Sequence, residues 1–370
     1  MADGDLRDQY LAFGAACARE GGVTYQAICQ FIADDPELLA MTATARPEQR
    51  RPNLLLAAVH FLLLEGAEHP LALFYDTVRA EGAVPAGEVG PAFQDFCLAH
   101  REQILELMAT RRTQTNEVRR CTVLLPALCE IARRNQGVEL ALIDLGTSAG
   151  LNMLFDRFGY RYQERDGTGF RLAGDARARV QLECFVPHEV TALPDLTLPN
   201  VSERVGLDLD PIDANDEDQS RWLLACLWPD QLPRFERLRA ALETWRATPD
   251  PPRISRGDMV DDLAGVAATL PGRGPLIVFH SWAVAYLPEP RQRALAAVVR
   301  QLNASRPTHH LFAEEPREVP GLPVPESPRG PTAATALVHI DPSGEVERWA
   351  DAHPHGNWIR WYCSSGLAGH

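Results

Sequence analysis

The eight cysteines of this 370-residue chain include no C-x-x-C pair; they stand apart at 17, 29, 97, 121, 129, 184, 226 and 363. That scatter argues against a zinc site or a disulfide framework and suits a reducing cytoplasm. Long apolar runs are missing too. The most apolar stretch, residues 54–64, is too short to cross a bilayer and contains His60, so it reads as a core helix. The opening Met1-Ala-Asp-Gly-Asp5 lacks the cationic-then-apolar profile of an export signal, and a cytoplasmic protein with no membrane partner is expected. Positive charge is scarce: 36 basic against 50 acidic residues give a net charge of −14, which repels a phosphate backbone and disfavours nucleic acid as partner. The densest basic clusters, Arg111-Arg112, Arg119-Arg120 and Arg133-Arg134, are short enough to read as solvated helix faces. No internal repeat is evident.

What is present is the composition of a soluble globular protein, 45% hydrophobic and 23% charged, in a chain long enough for one large or two medium domains. Residues 1–135 read as helix after helix, over 6–19, 25–32, 54–64, 92–108 and 117–134, with turn signals between them such as those at 82–91. They are expected to form a helical N-terminal domain, and residues 136–370 an α/β domain. Its first signal is Leu-Ala-Leu-Ile-Asp-Leu-Gly-Thr-Ser-Ala-Gly-Leu-Asn over 140–152, a short apolar run that ends in a glycine loop. Such a run suits a strand buried on both faces, and a following helix would aim unpaired N–H groups at the loop.

Short strands at 160–162, 170–172 and 180–185 then suggest a β-rich insertion over about 156–203, with a turn at Gln163-Glu-Arg-Asp-Gly-Thr-Gly169. Buried-strand signals return at 204–208, more weakly at 254–256, and strongly at 276–282 and 309–315. Helical patterns cover 222–245 and 291–302, a Pro-rich loop 316–331, and two closing strands 336–340 and 358–362, joined by a polar stretch.

The chemistry gathers at the strand ends. Gly146-Thr-Ser148-Ala-Gly150 matches a G-x-S-x-G nucleophile elbow, which would make Ser148 the nucleophile of an acyl hydrolase, with Asp258 and His280 or His339 as partners. It equally occupies the place of a nucleotide-cradling loop. The helical residues upstream favour the second reading, since an elbow follows several earlier strands. So does Asp208, an acid closing the next strand, where a carboxylate accepts from ribose hydroxyls. The loop is not G-x-G-x-x-G, which weakens a nicotinamide or flavin enzyme. Thr113-Gln-Thr-Asn116-Glu117 reads as a helix cap that also overhangs the same strand end. His353-Pro-His355 lacks a third ligand at helical spacing, and no metal is expected.

Four ordered stretches carry a resemblance. Ile143-Asp144-Leu-Gly146-Thr-Ser148-Ala-Gly150 resembles the first motif of class I S-adenosylmethionine-dependent methyltransferases, with Ser148 in place of the usual middle glycine. Val205-Gly-Leu-Asp208, Arg256-Gly-Asp258-Met259 and Phe279-His-Ser281 through Leu287-Pro288 resemble the motifs of the next three strands. The resemblance implies a Rossmann-like class I methyltransferase sheet, S-adenosylmethionine as cofactor and a small-molecule acceptor. It places Gly146, Ser148 and Gly150 beside the cofactor and Asp208 on the ribose. Asp258 and Met259 fall at the adenine, Asp144 and Asn116 at the amino-acid end. Glu117, Ser281, Trp282 and Tyr286 fall on the acceptor side, with His280 as a candidate base. The chain also resembles a bacterial family of unknown function that shares Gln114-Thr-Asn-Glu117, the glycine loop and Trp228-Pro-Asp-Gln231. A methyltransferase fold kept only for binding would share all these features.

Overall fold

The structure is a computed structural model that describes residues 3–79, 88–164, 169–187, 192–271, 274–330 and 334–363. Most of the turn signals at 82–91 and the tip of the turn expected at 163–169 lie outside the described residues. The helices are α1 (Asp3–Arg19), α2 (Val23–Ala33), α3 (Pro36–Ala43), α4 (Pro52–Glu65), α5 (Val89–Ala99), α6 (Arg101–Thr110), α7 (Cys121–Arg134), α8 (Glu217–Ala225), α9 (Leu232–Ala247), α10 (Leu263–Ala268) and α11 (Glu289–Leu302). The strands are β1 (Leu140–Leu145), β2 (Gly159–Glu164), β3 (Phe170–Gly174), β4 (Gln181–Val186), β5 (Val201–Asp208), β6 (Arg253–Arg256), β7 (Leu276–Ser281), β8 (Thr308–Glu314), β9 (Thr335–Ile340), β10 (Val346–Ala352) and β11 (Ile359–Trp361). Two compact units result, one of Met1–Thr115 with Asp213–Arg239, the other of Asn116–Ile212 with Ala240–His370. No helix among the described residues is long and apolar enough to cross a membrane.

The first unit packs helices around α4, which is buried at Pro52 and from Leu54 to Leu63. Pro52 starts that helix at a position where its missing N–H costs nothing, and Gly66 ends it in the left-handed conformation, φ 107°. α3, which the sequence pattern did not single out, is started by Pro36 and capped by Asp35, which accepts from the amides of Glu37 and Leu38 at 2.9 and 3.0 Å. The single helix expected over 92–108 is two, α5 and α6, parted at His100. Asp230 accepts from the amide and hydroxyl of Thr24, at 3.2 and 2.7 Å, fixing the start of α2 and giving the Trp228-Pro-Asp-Gln231 stretch a structural use.

The second unit has a mixed α/β fold built on an eight-stranded, mostly parallel sheet in the order β11-β10-β9-β8-β7-β1-β5-β6. The five strands from β6 to β8 run parallel, and β9, β10 and β11 add antiparallel. All six residues of β1 are buried, as in a central parallel strand covered on both faces of the sheet. From β1 the chain moves outward to β5 and β6, then returns to β7 on the opposite side. The topological switch therefore falls between β1 and β7, where open α/β sheets form a crevice at their carboxyl ends. β10 was hidden in the stretch read as polar: Glu347, Arg348 and Asp351 mask a strand whose last four residues are buried.

Strands β2, β3 and β4 form a separate three-stranded sheet within the segment expected to be β-rich. Its inner side stacks Tyr160 on Tyr162, with ring centroids 6.3 Å apart, and the hydroxyls donate to the carbonyls of Phe155 and Thr122.

The segment after the glycine loop differs from the α-helix expected. Leu151–Arg157 is a 3-10 helix broken at Leu154. Arg204 explains the break: its guanidinium takes the Met153 carbonyl at 2.7 Å and pairs with Asp156, so that carbonyl is turned to a side chain instead of continuing a helix.

Candidate functional site

The loop joining β1 to the 3-10 helix alternates left-handed residues: Gly146 at φ 69°, Ser148 at 53° and Gly150 at 73°. Ser148 thus occupies a conformation that glycine adopts more cheaply, which accounts physically for a glycine being usual at this middle position. It is held from two sides. Its amide donates to Asp208 Oδ2 at 2.7 Å, and its carbonyl accepts from the amide of Ile212 at 3.2 Å. Asp208 Oδ1 accepts from the amide of Asp210 at 2.8 Å, so the carboxylate at the tip of β5 bridges the loop and its own following turn.

Three further amides at the loop are also committed. Gly146 donates to the Leu207 carbonyl at 2.8 Å, Gly150 to Thr147 at 2.8 Å, and Leu151 to Asn116 Oδ1 at 3.2 Å. Asn116 therefore caps the segment after the loop, while Glu117 Oε1 caps its own 3-10 turn by accepting from Arg119 at 3.1 Å. A cap does lie within Thr113 to Glu117, but Glu117 makes it, while the Asn116 side-chain amide serves a different segment. Both side chains are buried close to the β1 tip.

Asp144, in register with Gly206 of β5 and Phe279 of β7, accepts from the Thr147 hydroxyl at 2.7 Å. Burial pushes its pKa up to about 7, with the neighbouring Asp208 charge adding, against the Thr147 hydrogen bond and Arg120. The loop is wedged tightly: a methyl group on Gly146 would overlap Cβ of Ala283, and one on Gly206 would stand 2.5 Å from Thr147 Cγ2. The same methyl on Gly146 would lie 3.7 Å from Met259 Cε, which brings Met259 to the loop. Asp258 is less available. Its Oδ1 accepts from the amides of Val260 and Asp261 at 2.7 and 3.0 Å and pairs with Arg291 at 2.6 Å.

At the end of β7, Ser281 Oγ is buried and makes no hydrogen bond among the described residues, while its carbonyl accepts from Arg120 at 3.0 Å. Arg120 also donates to the Pro354 carbonyl at 3.2 Å, and Arg119 to Asn357, so this pair clamps the β10–β11 turn instead of forming the solvated face expected. Trp282 is left-handed, φ 55°, and its indole N–H reaches Thr335 at 3.0 Å, whereas Tyr286 is 77% exposed. The histidines at 353 and 355 interact through the His355 amide, which donates to His353 Nδ1 at 3.0 Å; no group of three or more His, Cys, Asp or Glu among the described residues is placed to hold a metal ion.

His280 is fully buried. Nδ1 lies 2.7 Å from Glu314 Oε1, Nε2 lies 3.0 Å from His310 Nε2, and the ring stacks on Phe312. His339 is likewise engaged, its Nε2 lying 2.9 Å from His309 Nδ1. The left-handed Ser148 has the backbone of an elbow nucleophile, yet both histidines named for a triad are occupied elsewhere and Asp258 pairs with Arg291. Sequence reasoning missed Arg120, Thr147, Ala283 and Glu314. Glu314 left a trace as an acid closing a strand, and Arg120 as part of a basic pair read as a solvated face.

No curated protein matches the chain. Among solved structures, it is similar to the crystal structure of Streptomyces venezuelae DesVI at 13% identity, with 67% of this chain and 80% of that one covered and a TM-score of 0.23. A family described as uncharacterised protein conserved in bacteria (DUF2332) matches residues 7–361, and the chain belongs to that family.

Proposed function

We propose that the protein is an S-adenosylmethionine-dependent methyltransferase acting on a small molecule, with a class I arrangement of its parallel strands. The observation that carries this reading is the 2.7 Å hydrogen bond from the Ser148 amide to Asp208. It brings the acid at one strand tip against the glycine loop at the next, the pairing a nucleoside needs to lie across both. The loop chemistry supports the choice of cofactor. Its amides at 146, 148, 150 and 151 are spent on protein oxygens, and Asp144 and Asp208 stand beside it. A pyrophosphate would meet two acids there, whereas a sulfonium and an ammonium group are cations. The donor set fits S-adenosylmethionine.

That cofactor supplies an already activated methyl group, so the chain has to bind, orient and exclude water. Asp208 keeps lone pairs for the ribose hydroxyls beyond its two backbone amides. Gly146, Ser148, Gly150 and Met259 border the cofactor, with Asp144 and Asn116 toward its amino-acid end and Asp258 toward the adenine. Glu117, Ser281, Trp282 and Tyr286 are assigned to the acceptor side. His280, enclosed by Glu314, His310 and Phe312, is assigned to holding the site in shape.

Calorimetry with S-adenosylhomocysteine tests the reading. Wild type should bind, and Asp208→Ala should weaken binding about tenfold or more, as expected for losing hydrogen bonds to a charged acceptor. No heat from wild type at millimolar ligand would end the proposal.

A further inference from the structure

Glu314 closes β8 with a carboxylate that has no exposed surface, and one of its oxygens gathers three nitrogens. Oε1 lies 2.7 Å from His280 Nδ1 and accepts from the Ala283 amide at 3.0 Å and the Val284 amide at 3.1 Å. We infer that Glu314, backed by His280 and His310, is a positioning residue that fixes the 281–284 turn against the glycine loop. The His280 ring keeps a proton on Nδ1 for that purpose.

The geometry makes the argument. A carboxylate accepts from Nδ1 only if that nitrogen carries hydrogen, and the two facing Nε2 atoms, 3.0 Å apart, must share a single proton. One face of the ring is covered by Phe312, whose plane lies 2° from that of His280 with centroids 5.3 Å apart, as the β7–β8 register dictates. Neither ring nitrogen is left to meet an acceptor molecule.

The turn that Glu314 holds is one the backbone resists. Trp282 sits at φ 55°, which L-residues avoid, and Ala283 follows it into contact with the place of Gly146. Two amides pinned to one buried carboxylate oxygen keep that turn seated, because freeing a buried donor costs the full desolvation of that group. A glutamine would keep the length and one acceptor oxygen, remove the charge, and set its NH2 where Oε2 now has no hydrogen bond among the described residues.

The positioning claim stands on these contacts; only its consequence for ligand rests on the cofactor reading above. In Glu314→Gln, amide hydrogen exchange at Ala283 and Val284 should quicken about tenfold, with Leu276 to Phe279 unchanged. Nitrogen NMR of histidine-labelled wild type should show a protonated His280 Nδ1, and its signal should move in the variant. S-adenosylhomocysteine affinity should fall about tenfold in the same variant. Unaltered exchange in a folded Glu314→Gln, or a wild-type His280 protonated only at Nε2, overturns the inference. If the variant does not fold, the wild-type spectrum decides alone. If wild type binds no S-adenosylhomocysteine, the cofactor reading fails and the exchange and spectral arms still judge Glu314.

Discussion

His60 in the helical unit and Asp144 in the sheet unit are both buried titratable groups, and their surroundings differ in kind. His60 faces neutral partners: Nδ1 lies 3.1 Å from the carbonyls of Ala225 and Leu227, and Nε2 lies 2.7 Å from the Thr77 hydroxyl. Burial lowers its pKa to about 4, which keeps it an uncharged tie between backbone segments. Burial pushes Asp144 up to about 7, and a second carboxylate, Asp208, adds to the shift. Two acids of the helical unit, Asp35 and Asp230, each accept from amides at a helix start. Those at the strand tips hold loops together: Asp208 the glycine loop, Glu314 the turn after β7. A fold needs the first kind anywhere. The second kind concentrates charge where the sheet opens, and that is why the site is assigned there.

The comparison breaks most easily at glycine. Gly146→Ala should destabilise by about 3 kcal/mol in denaturant unfolding, since it adds a clash with Ala283 to a left-handed backbone. Gly66→Ala, at the end of α4 with nothing within 4 Å of the added methyl, should cost about 1 kcal/mol. Equal losses would mean that the loop is not wedged as described.

The two titratable groups should pull stability in opposite directions with pH. Asp144 binds its proton more tightly when folded, so its contribution is present below pH 4 and lost as pH rises through about 7. His60 resists protonation when folded, so its contribution is present above pH 6.5 and lost as pH falls toward 4. Each slope is on the order of 1 kcal/mol per pH unit at its steepest. Asp144→Asn should remove the first slope and leave the second, as read from unfolding midpoints between pH 4 and 7.

The smallest effect belongs to the caps. Asp35→Ala should cost about 1 kcal/mol and leave S-adenosylhomocysteine binding unchanged, in contrast to Asp208→Ala. A loss of binding in Asp35→Ala would blur the distinction between the two kinds of acid.

Much of the sheet was legible because its strands announce themselves locally. Leu140 to Leu145 is an uninterrupted apolar run, Gly146 and Gly150 mark the turn, and Asp208 closes the neighbouring strand. β10 was not legible, because Glu347 and Arg348 stand together near its start and Asp351 is a charged residue within its buried half. The 3-10 helix after the loop was not legible either: Arg204, distant in sequence, captures the Met153 carbonyl. The Glu314–His280–His310 chain depends on β7 and β8 lying side by side in one register, with His280 opposite Phe312. Such contacts are set by pairing between distant segments, and no local pattern of residues encodes them.

The most direct test is a crystal structure of the protein grown with S-adenosylhomocysteine. The account predicts the ribose hydroxyls on the Asp208 carboxylate and the sulfur beside Gly146. Ligand bound elsewhere, with Asp208 still touching only the amides of Ser148 and Asp210, would contradict it.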